Sequence, residues 1–270
     1  MTPRFLALFV TATCVFASAP AWADDQELSR TTPAFLGTQF GITAALTFGS
    51  LFLPKPGTCS WCAVNGFDTS VRSAFVLQDP KVARTTSDIT VGAVIPVGTL
   101  AFALIPALTG DHKGQALENA AIVANATMTA VVLNQATKVL FARQRPGCAL
   151  SSTSGITGTE CNVSFYSGHT SAGFAMAASV TTVLALRGSR LAPWAGAGLG
   201  TLALAGGTLR IMGDAHWASD VLVGLAIGTA AGVLMPLLLH PRAGASSTTS
   251  GLTIGPAPSA DFGLSVGGAL

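Results

Sequence analysis

Six stretches of this chain contain no Asp, Glu, Lys or Arg: Thr31–Pro54, Ile89–Gly110, Asn119–Thr137, Thr170–Leu186, Leu191–Leu209 and Val221–Leu239. Most approach the ~20 residues a helix needs to cross a lipid bilayer. They are rich in Ala, Gly and Thr, small residues that let helix backbones approach closely. The pattern predicts an all-α protein, a six-helix membrane-embedded bundle. Its competitor is a soluble all-helical bundle with a large core, favoured by Glu118, Asn119, Asn125, Asn134 and Gln135. Only 10% of the residues are charged and the mean hydropathy is +0.57, which supports the membrane reading. A net charge of +2 gives no basic patch, so nucleic acid is not an expected partner.

The first residues, "MTPRFLALFVTATCVFASAPAWADD", read as an export signal: Arg4, an apolar run from Phe5 to Ala17, and an Ala21-Trp22-Ala23 cleavage site. The expected division is a signal over 1–23, a helical domain over 24–240 and a tail over 241–270. The tail is rich in Gly, Ser, Ala and Pro, flexible or weakly β. Export places the remaining cysteines, Cys59, Cys62, Cys148 and Cys161, in an oxidising compartment. Proximity in sequence suggests pairs 59–62 and 148–161, although four cysteines permit three pairings. "CSWC" also has the spacing of a metal or redox motif, but no second CxxC or βαβ pattern supports that.

The segment Pro54–Asp88 reads as a polar surface loop with a short helix near Ser70–Leu77. Asp68 and Arg72, four apart, are expected to pair on its solvated face. In the second helix Pro96 and Pro106 are tolerable in a membrane setting. "TGDHKGQ" is a tight turn making the second and third helices antiparallel neighbours. Another loop, Gln144–Tyr166, precedes three more helices.

Three polar clusters interrupt the apolar chain. "KVLFARQRP" places Lys138 and Arg145 seven residues apart, two helical turns, before Pro146 stops the helix. Alone, it is also what basic residues at any helix end look like. "SGHTSAGF" starts a helix at Ser167 and Gly168, whose unpaired N–H groups form a phosphate cradle with His169 beside it. A serine-capped helix start explains the same residues without a ligand. "LRIMGDAHWASD" ends one helix at Arg210 and opens the next with His216 and Asp220. Their i, i+4 spacing lets the carboxylate orient the imidazole. Asp214 acquires no role from its spacing.

In series, Lys138-x6-Arg145-Pro146, Ser167-Gly168-His169 and Arg210-x5-His216-x3-Asp220 resemble the three-part signature of the type 2 phosphatidic acid phosphatase superfamily. That superfamily includes lipid phosphate phosphatases, bacterial acid phosphatases and vanadium haloperoxidases. The resemblance covers about Thr31–Leu239, with every internal spacing matched. Tyr166 stands where proline is usual and Leu209 where serine is usual; the second change removes a hydroxyl that helps hold phosphate or its arginine.

The resemblance implies that Lys138, Arg145, Ser167, Gly168 and Arg210 bind phosphate. It implies that His216 is the nucleophile that forms a phosphohistidine, oriented by Asp220. His169 is implied as the acid that protonates the leaving group and then assists water. Three cations and a helix N-terminus suit the charge on a transferring phosphoryl group. No metal or other cofactor is expected.

The expected activity is a metal-independent phosphatase acting on monoesters or diphosphates of lipids. Alternatives are a soluble periplasmic broad-range acid phosphatase and a non-catalytic anion-binding membrane bundle. No feature favours haloperoxidase chemistry. The expected partners are a phosphorylated lipid and the membrane; the oligomeric state is not legible.

Six spans and a cut signal would put the three motifs in the cytoplasm. That conflicts with paired cysteines and with Lys113, Arg187, Arg190 and Arg242 lying outside. The working expectation is a bacterial inner-membrane protein whose site faces the periplasm, with Thr31–Pro54 not fully crossing, or a soluble or peripheral periplasmic protein.

Overall fold

The computed structural model describes residues 33–109, 115–150 and 154–240. The expected signal, the 241–270 tail and most of the "TGDHKGQ" turn lie outside the described residues. Among those described there is no strand. The helices are α1 (Pro33–Ser50), α2 (Gly66–Phe75), α3 (Pro80–Ile89), α4 (Ile95–Thr109), α5 (Ala116–Phe141), the single turn α6 (Pro146–Ala149), α7 (Gly168–Leu186), α8 (Ala192–Met212) and α9 (Ala218–Leu239).

A π-helical turn, Thr90–Val94, joins α3 to α4, so the two form one rod. Pro96 lacks the N–H that would bond one turn back, and the widened turn directly before it absorbs that missing bond. The sequence places the start of this rod at Ile89; the structure starts it at Pro80. Asp79 caps Lys81 N and Pro80 occupies the first helical position, a strong local start signal. The "loop" Pro54–Asp88 is thus partly helical, and α2 begins at Gly66 rather than Ser70 because Asn65 caps Asp68 N at 2.8 Å.

Among the described residues there are six long rods, and the fold is all-α. Four of them are long and apolar enough to cross a membrane: Pro80–Ile105, Ala116–Phe141, Gly168–Leu186 and Ala218–Leu239. The expectation of six such spans is therefore reduced: α1 and α8, diluted by Gly, Thr and Gln or by Gly and Trp, are not among them. The membrane-type character also shows on the outside, where Phe48, Phe52, Leu140, Trp194 and Leu238 are exposed.

The bundle is held by contacts only small residues permit. On α9, Gly224, Gly228 and Gly232 recur every four residues and face α7. A Cβ on Gly224 would sit 2.7 Å from Ser167 O, and one on Gly232 would sit 2.7 Å from Ala175 O. Gly228 abuts Ser171 O more closely still. On the next interface a Cβ on Gly207 of α8 would meet Thr170 Oγ1 at 2.9 Å. Such stripes bring backbones together where apolar burial against lipid supplies little drive.

The three asparagines of α5 each make a hydrogen bond inside the bundle. Asn125 Oδ1 accepts from Thr43 Oγ1 (2.7 Å), Asn119 Oδ1 from Arg187 Nε (2.5 Å), and Asn134 Nδ2 donates to Tyr166 O (2.7 Å). Arg187 also faces Glu118 at 3.3 Å, and Glu118 lies 3.5 Å from His240 Nδ1. These groups join the start of α5 to the ends of α7 and α9 and mark one end of the bundle. The three motifs lie at the other.

Candidate active site

α5 stops at Phe141 because Ala142 turns left-handed (φ 43°) and its N–H returns to Lys138 O. The expectation that Lys138 and Arg145 share one helical face is therefore overturned: the helix ends well before Pro146. The chain instead runs extended through Arg143, where Gln144 N donates to Trp61 O (3.1 Å) and Ser60 N to Ala142 O (3.1 Å). Pro146 then opens α6. Arg145 is brought back by backbone hydrogen bonds: its N–H donates to Cys161 O (2.7 Å) and its Nε to Glu160 O (2.7 Å). Its NH1 donates to Ala215 O (2.9 Å) and lies 3.4 Å from His216 Nε2.

Ser167 is the N-cap of α7, its Oγ accepting from Thr170 N at 3.4 Å and from Thr170 Oγ1 at 2.9 Å. Gly168 opens the helix, and a Cβ there would meet Asn134 Oδ1 at 2.6 Å and Lys138 Nζ at 3.4 Å. Only glycine leaves room there for the Asn134 amide, with the Lys138 ammonium close beside it. Lys138 Nζ makes no hydrogen bond or ion pair with another described residue. The buried Arg210 Nε also has none. Both donors are unspent.

His216 is buried, and its Nδ1 lies 2.7 Å from Ser164 O. A carbonyl only accepts, so Nδ1 carries the proton and Nε2 keeps its lone pair. The sequence assigns the orienting role to Asp220, but Asp220 Oδ2 is 3.6 Å from Nδ1. Asp220 instead takes hydrogen bonds from Ser164 Oγ (2.6 Å), Trp217 N (3.0 Å) and Arg143 NH1 (2.5 Å). It acts on the ring at one remove, by fixing the residue whose carbonyl holds it.

Burial holds the His216 imidazole well below its ordinary value of 6.5, and Arg145, Arg210, Lys138 and His169 push it further the same way. Those four groups come from all three motifs, and the contacts join the motifs pairwise: Arg145 lies 3.4 Å from His216, Asp88 holds both His169 and Arg210, and Lys138 lies beside Gly168. Arg145, itself buried and facing Arg210, is pushed down to about 10.

His169 Nε2 lies 2.8 Å from Asp88 Oδ1, which also accepts from Arg210 NH1 at 2.8 Å. Asp88 therefore belongs to the site, although sequence reasoning reads it only as the end of a loop. Arg143 also escapes that reasoning, and Asp68 and Arg72 find partners other than each other. Arg143 is fully buried between Asp220 and Asp68, with its guanidinium 4.2 Å over the Trp61 ring. Asp68 is likewise fully buried, not solvated, and pairs with Arg143 at 2.7 Å rather than with Arg72. Arg72 goes to Asp214 instead, at 2.6 and 2.7 Å. The available signal was the extra arginine within the Lys138–Arg145 spacing.

Both cysteine pairs form as proximity suggests, Cys59–Cys62 and Cys148–Cys161. The second ties down the 3₁₀ turn Gly158–Asn162, whose carbonyls hold Arg145. Beside Lys138 a cavity of about 120 Å³ opens between Ser50, Leu51 and Leu53 at the end of α1 and Lys138 and Val139 of α5. The Lys55–Glu160 ion pair forms another wall.

No curated protein matches this chain. A family model described as the PAP2 superfamily matches residues 119–243, which span α5 to α9 and contain all three motifs. Over that segment the chain matches the type 2 phosphatidic acid phosphatase superfamily.

Proposed function

We propose that the phosphatase activity this superfamily implies is directed here at phosphorylated lipids and runs through a phosphohistidine. The carrying observation is the unspent donor set, Lys138 Nζ, Arg210 Nε and the start of α7, gathered round a ring whose Nε2 is unprotonated. Preorganised donors of this kind stabilise the spread charge of phosphoryl transfer.

In the first step the His216 Nε2 lone pair forms the N–P bond as the P–O bond to the alcohol breaks. His169, acting as the imidazolium, gives its Nε2 proton to the leaving oxygen and is left neutral, releasing its contact with Asp88. In the second step His169 takes a proton from water, the water oxygen bonds to phosphorus, and the N–P electron pair returns to Nε2.

Lipid is the favoured substrate because the cavity beside Lys138 is lined by Leu51 and Leu53, exposed apolar residues just past the end of α1. Its volume, far below the ~300–1,000 Å³ of a full ligand pocket, suits only the part of the alcohol next to phosphorus. Both disulfides lie at the site end of the bundle, which supports a periplasmic face of the inner membrane.

Phosphate release by purified protein from phosphatidic acid in mixed micelles, compared with water-soluble esters, tests the reading. Vanadate is expected to inhibit, and His216→Ala to abolish release. Full activity in that variant overturns the mechanism, and preference for soluble esters overturns the lipid assignment. Protection of the cysteines from a membrane-impermeant thiol reagent, after reduction of intact cells, would reverse the orientation.

A further inference from the structure

We propose that Asp68 and Arg143 are positioning residues that keep one negative charge behind the His216 ring; this rests on the function proposed above. Asp68, Arg143, Ser164 and Asp220 are all buried. Arg143 NH2 donates to Asp68 Oδ2 at 2.7 Å, and NH1 to Asp220 Oδ1 at 2.5 Å and to Ser219 Oγ at 2.8 Å. Ser219 N donates to Asp68 Oδ1 (2.8 Å), its Oγ to Oδ2 (2.7 Å), and Asn65 Nδ2 also reaches Oδ2 (2.7 Å). Each of the four carboxylate oxygens thus faces at least one group that can only donate: Ser219 N, Arg143 and Asn65 Nδ2 at Asp68, Arg143 and Trp217 N at Asp220.

Two carboxylates share one guanidinium, a formal excess of one negative charge over the cation between them. A buried ionic cluster is a poor way to stabilise a fold, because desolvation offsets most of the attraction. Its use lies in where the charge sits. Asp220 Oδ2 is 3.6 Å from His216 Nδ1. When Nε2 bonds to phosphorus while Nδ1 keeps its proton, the ring becomes positive amid Lys138, Arg145 and Arg210.

With Arg143 alone, Asp220 would be neutralised and could not offset that charge. By engaging the other end of Arg143, Asp68 restores it. The same contacts hold the geometry, since Arg143 fixes Asp220, Asp220 fixes Ser164, and Ser164 O holds Nδ1–H. Asp68 stands on α2, outside the segment 119–243 that matches the family. The site therefore reaches beyond that segment.

Asp68→Asn keeps the shape and removes the charge. In the full-length protein in detergent, kcat for phosphate release is expected to fall ~10- to 100-fold, the range for residues that orient a reacting group, with KM within about 3-fold. ¹⁵N spectra of the His216 imidazole are expected to show the Nδ1–H tautomer in the wild type and a mixed population in the variant. This readout needs no turnover, so it stands even if the substrate assignment fails. Ser219→Ala, a milder cut in the same network, serves if Asp68→Asn does not fold; a fall in its kcat without a change in KM supports the proposal. A wild-type kcat and an unchanged His216 spectrum in a folded variant overturn it. So does a loss confined to KM.

Discussion

Gly228→Ala adds one methyl group where α9 crosses α7. The new Cβ would lie 2.9 Å from both Ser171 C and Ser171 Cα, and nearer still to Ser171 O. Ordinary contact begins at 3.4 Å, and the obstruction is backbone, so no rotamer change relieves it. The helices must part by roughly an ångström. Overpacking of this kind costs about 1–3 kcal/mol, which alanine's better helix propensity, about 1 kcal/mol, only partly offsets. Catalysis should suffer more than stability. Ser171 lies one turn from Ser167, and α9 begins beside His216, so the displacement separates the anion cradle from the nucleophile. A misplacement of ~1 Å can cost ~10²-fold in rate. The assay is kcat/KM together with the thermal unfolding midpoint, set against Gly198→Ala, whose Cβ enters open space on α8. The control should be neutral or stabilised by about 0.5–1 kcal/mol. If Gly228→Ala matches the control in both measurements, close α7–α9 packing does not align the site.

Because His216 is held well below 6.5, it stays neutral into acid, and the acid limb of kcat/KM should fall below that value. Arg145→Gln removes the largest depressing charge, so the residual activity of that variant should show the limb shifted upward. Asp88→Asn frees Arg210 and His169 from a competing carboxylate. Inorganic phosphate should then inhibit more tightly, while kcat falls ~10-fold or more as His169 loses the partner of its proton. Replacing Cys148 and Cys161 by serine should cost about 3 kcal/mol in denaturant unfolding, the figure for a loop of ~15 residues. It should also raise KM, since the freed turn carries the carbonyls that hold Arg145.

The helical class and the three motifs were legible because both depend on local spacing. Long uncharged runs of this length favour helices, and Ser167 caps the one that begins at Gly168. The spacing of His216 and Asp220 put Asp220 in the first turn of α9, where it accepts from Trp217 N, and His216 just before that helix. The span between Lys138 and Arg145 misled, because an unbroken helix was assumed where Ala142 turns left-handed. Nothing local marks that position: the strand-like pairing with Trp61 that accompanies it comes from a loop some eighty residues earlier.

What the sequence by itself determined is which residues carry the reactive groups, since that chemistry is intrinsic to lysine, arginine, histidine and a helix N-terminus. What only the tertiary structure decided is their state. Asp68 and Arg72 share a helix face in the sequence, yet they pair with Arg143 and Asp214. Asp88 reaches His169, and Ser164 rather than Asp220 sets the His216 tautomer. A partner is chosen by proximity in space and by the expense of leaving a buried charge alone, and neither is written in the spacing of residues along a chain.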